Sequence, residues 1–177
     1  SKVTAPDAPT DLSGIPGDGK ATISFTAGSD NRSTITNYAY STNGTDFTAL
    51  SPSDVTSPVT IPGLTNGVTY SISLKAINSI GQSPSSETVS VRPVAVPNAP
   101  TGLSAVPDYG SATISFTPGN DNGEAITNYA YSLNGTTYTP FSPAVTDSPV
   151  TITGLSEGVI YSIRLKAISV VGQGAAS

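Results

Sequence analysis

Residues 35–45 read ITNYAYSTNGT and residues 126–136 read ITNYAYSLNGT, two phrases that differ only at Thr42 and Leu133 and stand 91 positions apart. A shift of 91 aligns residues 8–86 with 99–177 without a gap, and roughly 60% of the aligned pairs are identical. Repetition over so long a stretch marks a duplicated folding unit rather than a duplicated active site, so each copy must close a core of its own. The length agrees, because 177 residues is long for one small domain and comfortable for two. The expected units are residues 1–93 and 94–177.

Within each copy, short segments of alternating polarity follow one another between turn signals, at the spacing of an all-β sandwich. Seven strands are expected in the first copy, near residues 10–15, 21–26, 35–42, 47–50, 57–61, 68–78 and 88–92. Tyr38 and Tyr40 share one strand face, and Asn43-Gly44 offers the positive-φ pair of a tight hairpin. Tyr70, Ile72, Leu74 and Ala76 fall on one face of a later strand, with Ser71, Ser73 and Lys75 on the other, the alternation of a half-buried antiparallel strand. Only 11% of residues are charged, and Ser, Thr, Gly, Pro and Asn dominate the rest, which suits strands and turns and leaves little for long helices.

At this point the sequence resembles the fibronectin type III family over almost all of both copies. The openings DAPTDL (residues 7–12) and NAPTGL (98–103) are similar to its Pro-Thr-x-Leu entry, and GLTNGVTYSISLKAIN and GLSEGVIYSIRLKAIS to its Gly-Leu to Tyr-x-x-x-x-x-Ala stretch. The resemblance implies two tandem immunoglobulin-like sandwiches, with a tyrosine corner at Tyr70 and Tyr161 and with Leu64 and Leu155 packed below. The family's core Trp on the second strand is replaced here by Phe25 and Phe116, a smaller ring that can still fill the position.

Composition removes most chemistry. The chain has no Cys, His, Met or Trp, so thiolate and imidazole metal sites, nucleophiles activated by histidine and disulfides are excluded together. No metal, cofactor or catalytic residue is expected. The net charge of −5 and scattered basic residues give no positive stripe for nucleic acid, and no apolar run approaches a membrane span. The expected class is a non-catalytic extracellular or cell-surface repeat of the bacterial or viral type, serving as a spacer, stalk or filament-building module. The alternative class is an adhesion or glycan-binding accessory module of a secreted carbohydrate-active enzyme.

Candidate sites each have an ordinary explanation. Asp121, Asn122 and Glu124 bring oxygen ligands together as if for calcium, but the EF-hand spacing is absent, the first copy lacks the Glu, and such clusters are common turn chemistry. Asn31, Asn43 and Asn134 begin N-glycosylation patterns, and glycosylation stays open. No Arg-Gly-Asp tripeptide occurs, and Lys75 and Lys166 point outward by alternation, away from any isopeptide partner. Tyr109 and Tyr138 are the aromatics without an obvious core position, hence the candidates for stacking on a sugar.

Between the copies, VRPVAVPNAP (residues 91–100) holds three prolines and should act as a semi-rigid joint, each module advancing the chain by roughly 30–40 Å. The second copy stops at Ser177, the counterpart of Ser86, so nothing matches ETVSVRP, the last strand of the first copy. The expectation is a second sandwich lacking that strand within this chain. Burial of Val89 and of Val91 is worth roughly 1.5–3 kcal/mol each, comparable to a small domain's stability margin. Three explanations stand open: a longer array of repeats cut within a module, an unstructured remainder, or a strand from another subunit. The expected partners are therefore further copies of the module, in cis or as a head-to-tail polymer, and a cell-surface protein or glycan.

Overall fold

A computed structural model describes all of Ser1–Ser177, as two compact units of strands and turns, Ser1–Pro93 and Val94–Ser177. In the first, β1 (Thr10–Gly17), β2 (Lys20–Thr26) and β5 (Val59–Ile61) form one antiparallel sheet in the order β1-β2-β5. The facing sheet joins β3 (Asn37–Ser41), β4 (Thr48–Ala49), β6 (Tyr70–Ile77) and β7 (Val89–Val91) in the order β4-β3-β6-β7. All seven expected strands are present, with different ends.

Alternation places the core. Ala21, Ile23 and Phe25 of β2 and Val59 and Ile61 of β5 meet Tyr38, Ile72, Leu74, Ala76 and Val91 from the other sheet. Phe25 stacks in tilted fashion on Tyr38 with ring centroids 4.6 Å apart, and Phe116 repeats this on Tyr129 at 4.8 Å, so phenylalanine fills the core position in both units. The outward face of β6 departs from the expected pattern at Ser73, which is buried. Its short side chain lies on a strand paired on both sides, between β3 and β7, whereas its counterpart Arg164 is long enough to reach water.

The hairpin after β3 also departs from expectation. Gly44 has φ 84, but Asn43 is not in the positive region, and the strands pair only from Tyr40 with Thr48 onward. Side-chain acceptors shape the wider loop instead. Asn43 Oδ1 accepts from the amides of Thr45 and Asp46 at 2.9 Å each, and Ser41 Oγ accepts from Gly44 N at 2.8 Å.

The second unit has β8 (Thr101–Asp108), β9 (Ser111–Thr117) and β12 (Val150–Thr153) in one sheet, and β10 (Asn128–Ser132), β11 (Thr139–Pro140) and β13 (Arg164–Ile168) in the other. Registers repeat: Tyr38 faces Ala76 across β3 and β6, as Tyr129 faces Ala167 across β10 and β13. In both units the first strand shifts register near its start, where Asp11 (φ 56) and Gly102 (φ 63) adopt left-handed backbone. The units differ where β7 would recur. β13 pairs with β10 alone and begins only at Arg164, three residues later than the counterpart of Tyr70.

Candidate functional site

The two tyrosine corners form as expected. Tyr70 Oη accepts the backbone N–H of Thr65 at 2.9 Å, and Tyr161 Oη accepts that of Ser156 at 3.0 Å. These donated hydrogen bonds favour the phenolate and lower both phenol pKa values below the ordinary 10. Tyr38 and Tyr129 move the other way, because burial disfavours their charged form. The Tyr129 hydroxyl is also buried without a hydrogen-bond partner.

In the first unit β7 lies on β6 with Tyr70 opposite Val91 and Ile72 opposite Val89. Gly67 N donates to Pro93 O at 2.8 Å, anchoring the end of this strand. Beneath it, Gly14 leaves room for the Val91 side chain: a Cβ at Gly14 would run into the Val91 Cγ2 methyl. The corresponding place in the second unit is an open groove of about 280 Å³ lined by Ala105, Ala112, Leu155, Tyr161 and Ile163, among others. Ile72 is 0% exposed under β7, whereas Ile163 is half-exposed in the groove. A second depression continues past Ile163 and Arg164 to Ser177.

Tyr109 stands at the tip of the β8–β9 hairpin, 90% exposed, beside Pro107, Asp108 and Glu157. Tyr138 is not comparably free. It is half-buried, and Lys166 Nζ sits 4.1 Å from its ring centroid, as Lys75 does over Phe47 at 4.3 Å. A long lysine stem lying over the strand thus covers the face that a sugar would need.

The Asp/Asn loops are built as turns. Asn122 (φ 54) donates from Nδ2 to Val96 O at 2.9 Å and to Asn98 Oδ1 at 2.8 Å, while the Asp121 carboxylate accepts Gly123 N at 3.0 Å. Asn31 does the same for the first unit through Ala5 O and Asp7 Oδ1. No three His, Cys, Asp or Glu side chains gather as a metal site. Of the three glycosylation patterns, Asn31 uses its amide nitrogen in packing, and Asn43 and Asn134 are exposed on loops, where Asn43 Nδ2 donates to Asp46 Oδ2 at 2.8 Å.

The sequence profile of the fibronectin type III domain matches residues 7–92 and 98–177. The chain belongs to the fibronectin type III family. Its domains are generally non-catalytic modules. Chitinase A1 of Niallia circulans is 30% identical over 186 aligned positions, which take in 96% of the chain and 25% of that enzyme. The Kelch domain-containing protein SSO1033 of Saccharolobus solfataricus is 28% identical over 114 residues, 64% of the chain and 16% of that protein. The chain therefore spans a quarter or less of these curated relatives. Among solved structures, the FN1–FN3 domains of chicken CNTN1 align with a TM-score of 0.47 and 20% identity, covering 97% of the chain and 64% of that structure. No helix is long and apolar enough to cross a membrane.

Sequence reasoning missed one feature of this surface. Ala105 differs from Gly14 by one methyl, a change without meaning until β7 is seen to lie on that spot. The exposure of Tyr109 agrees with the sequence expectation and follows from its place at a hairpin tip, where its counterpart in the first unit is Asp18.

Proposed function

We propose that these modules are a non-catalytic spacer or stalk segment of an extracellular or cell-surface protein. The observation that supports this best is the disposition of aromatic side chains. Phe25, Tyr38, Phe116 and Tyr129 are buried in the cores, Tyr70 and Tyr161 lock the corners, and Phe47 and Tyr138 lie beside lysines. Tyr109 is the one aromatic side chain among the large exposed apolar groups, which leaves few rings free to recognise a ligand. The proline-containing segment between the units suits a function of holding distance. The chain has no cysteine, so Lys2→Cys with Ser177→Cys admits a spin-label pair. A spacer gives one narrow distance distribution by pulsed electron resonance, and a broad distribution spanning compact and extended forms would reject it.

A second reading is favoured by Tyr109 and by the similarity to Chitinase A1. A ring that is 90% exposed, flanked by the carboxylate acceptors Asp108 and Glu157, has the composition of a small sugar-stacking platform. Co-sedimentation with insoluble chitin and cellulose separates the readings. Saturable binding that disappears in Tyr109→Ala supports the accessory module, and no binding by either protein supports the spacer.

A further inference from the structure

The phrase that marks the duplication carries an inference that stands apart from the spacer reading. We propose that Asn43 and Asn134 are sites of self-modification: the amide nitrogen of Gly44 or Gly135 attacks the asparagine side chain to form a succinimide, which water opens to aspartate or isoaspartate, and Ser41 or Ser132 relays the proton.

The chain holds four Asn-Gly pairs, at Asn43, Asn66, Asn122 and Asn134. Two of them share one hydrogen-bond circuit. Gly44 N donates to Ser41 Oγ at 2.8 Å, and Ser41 Oγ in turn donates to Asn43 Oδ1 at 3.1 Å. Gly135 N donates to Ser132 Oγ at 2.8 Å, and Ser132 Oγ to Asn134 Oδ1 at 3.2 Å. Nucleophile, relay and electrophile are thus joined within one loop. Ser41 and Ser132 are each 1% exposed, so solvent does not compete for the relay hydroxyl, whereas the space where a Gly44 or Gly135 Cβ would stand is open.

The attacked carbonyl is polarised as well. Asn43 Oδ1 accepts from Thr45 N and Asp46 N at 2.9 Å each and from Thr45 Oγ1 at 3.1 Å. Asn134 Oδ1 accepts from Thr136 N at 2.9 Å, Thr137 N at 2.8 Å and Thr136 Oγ1 at 3.1 Å. Donors gathered on a carbonyl oxygen stabilise the charge that develops when its carbon is attacked. As Gly44 N bonds to Asn43 Cγ, its proton passes to Ser41 Oγ and the serine proton to Oδ1. The adduct then expels the side-chain nitrogen as ammonia, which takes the hydroxyl proton, and the succinimide remains. Water adds across one of its two C–N bonds: opening at Cγ gives aspartate, and opening at the main-chain carbonyl gives isoaspartate.

The other two pairs are built differently. Gly67 N donates to the main-chain oxygen of Pro93, which has no proton to pass on, and the half-buried Asn66 side chain is held between Gly19 N and Asp18 Oδ1. Asn122 Nδ2 is held by Val96 O and Asn98 Oδ1, so loss of that nitrogen would break two hydrogen bonds.

The test incubates the complete chain in heavy-oxygen water at neutral pH and reads label at each asparagine by peptide mass spectrometry, with fragment spectra separating aspartate from isoaspartate. Label is expected at Asn43 and Asn134, faster in the folded chain than in urea, and at least about tenfold less at Asn66 and Asn122. Ser41→Ala should slow labelling of Asn43 by about tenfold or more while Asn134 in the same molecule keeps its rate, and Ser132→Ala should do the reverse. Equal or greater label at Asn66 or Asn122 would overturn the choice of sites. Unchanged or faster labelling of Asn43 in Ser41→Ala, or faster labelling in urea than in the folded chain, would overturn the relay. A first unit unfolded by Ser41→Ala would show as Asn66 labelling at its urea rate, and the comparison of folded and urea-treated wild type, which needs no variant, then decides.

Discussion

Gly14→Ala tests the packing beneath β7 in the intact first unit. The new Cβ enters space held by the Val91 Cγ2 methyl, with Ile23 Cδ1 close behind at 3.4 Å, so the change overpacks a filled site. Such insertions cost about 1–3 kcal/mol. Replacing glycine within a strand returns about 0.5–1 kcal/mol by removing backbone freedom from the unfolded chain. Gly14 has no positive φ to forbid the alanine, so sterics decide the sign. The net expectation is a loss of about 0–2.5 kcal/mol. Val91→Ala removes the colliding methyls together with buried apolar area, and is destabilising by about 1–3 kcal/mol alone. In the double variant the collision is absent, so the losses should not add: the pair should be less destabilised than the sum by at least about 0.5 kcal/mol. Hydrogen exchange of β2 and β6 amides reads the first unit separately in the full chain. Additivity of the two changes, or stabilisation by Gly14→Ala, would refute the claim that this glycine is set by Val91.

Three other outcomes are expected. Tyr129→Phe removes a buried hydroxyl that has no partner and should stabilise the second unit by about 1 kcal/mol in urea denaturation, with no effect on the first. Phe25→Ala should cost about 3–5 kcal/mol and leave the first unit largely unfolded by circular dichroism, since Phe25 fills the core against Tyr38. Stability should also decline above about pH 10, because Tyr38 and Tyr129 keep their protons in the folded state while unfolded tyrosines lose theirs. Tyr70 and Tyr161, shifted the opposite way, partly offset that decline, so Tyr70→Phe should steepen it in a denaturation series from pH 8 to 11 while Tyr129→Phe flattens it.

Two kinds of information were unequally legible in the sequence. Strand identity and the inward faces were readable because they rest on local alternation: Ile72, Leu74 and Ala76 could be assigned to the core from spacing alone, and they are 0% exposed. The tyrosine corner was readable through the family resemblance. The hairpin after β3 was misread because Asn-Gly carries two separate tendencies, positive φ and side-chain hydrogen bonding, and here the Asn43 side chain acts as the acceptor that holds a wider loop. Ser73 was misplaced because alternation says which face a residue is on, whereas burial also depends on strands on either side. The cover over the Tyr138 ring is not legible from spacing, because Lys166 reaches it from β13, far away in sequence.

The duplication helps where a single domain would not, since each substitution between copies is a natural experiment in one fixed backbone environment. Asp18 replaced by Tyr109 changes a polar hairpin tip into an exposed ring and leaves the strand register intact. Gly14 replaced by Ala105 adds a single methyl and likewise leaves the register intact, since Gly14 pairs with Ile23 as Ala105 pairs with Ile114.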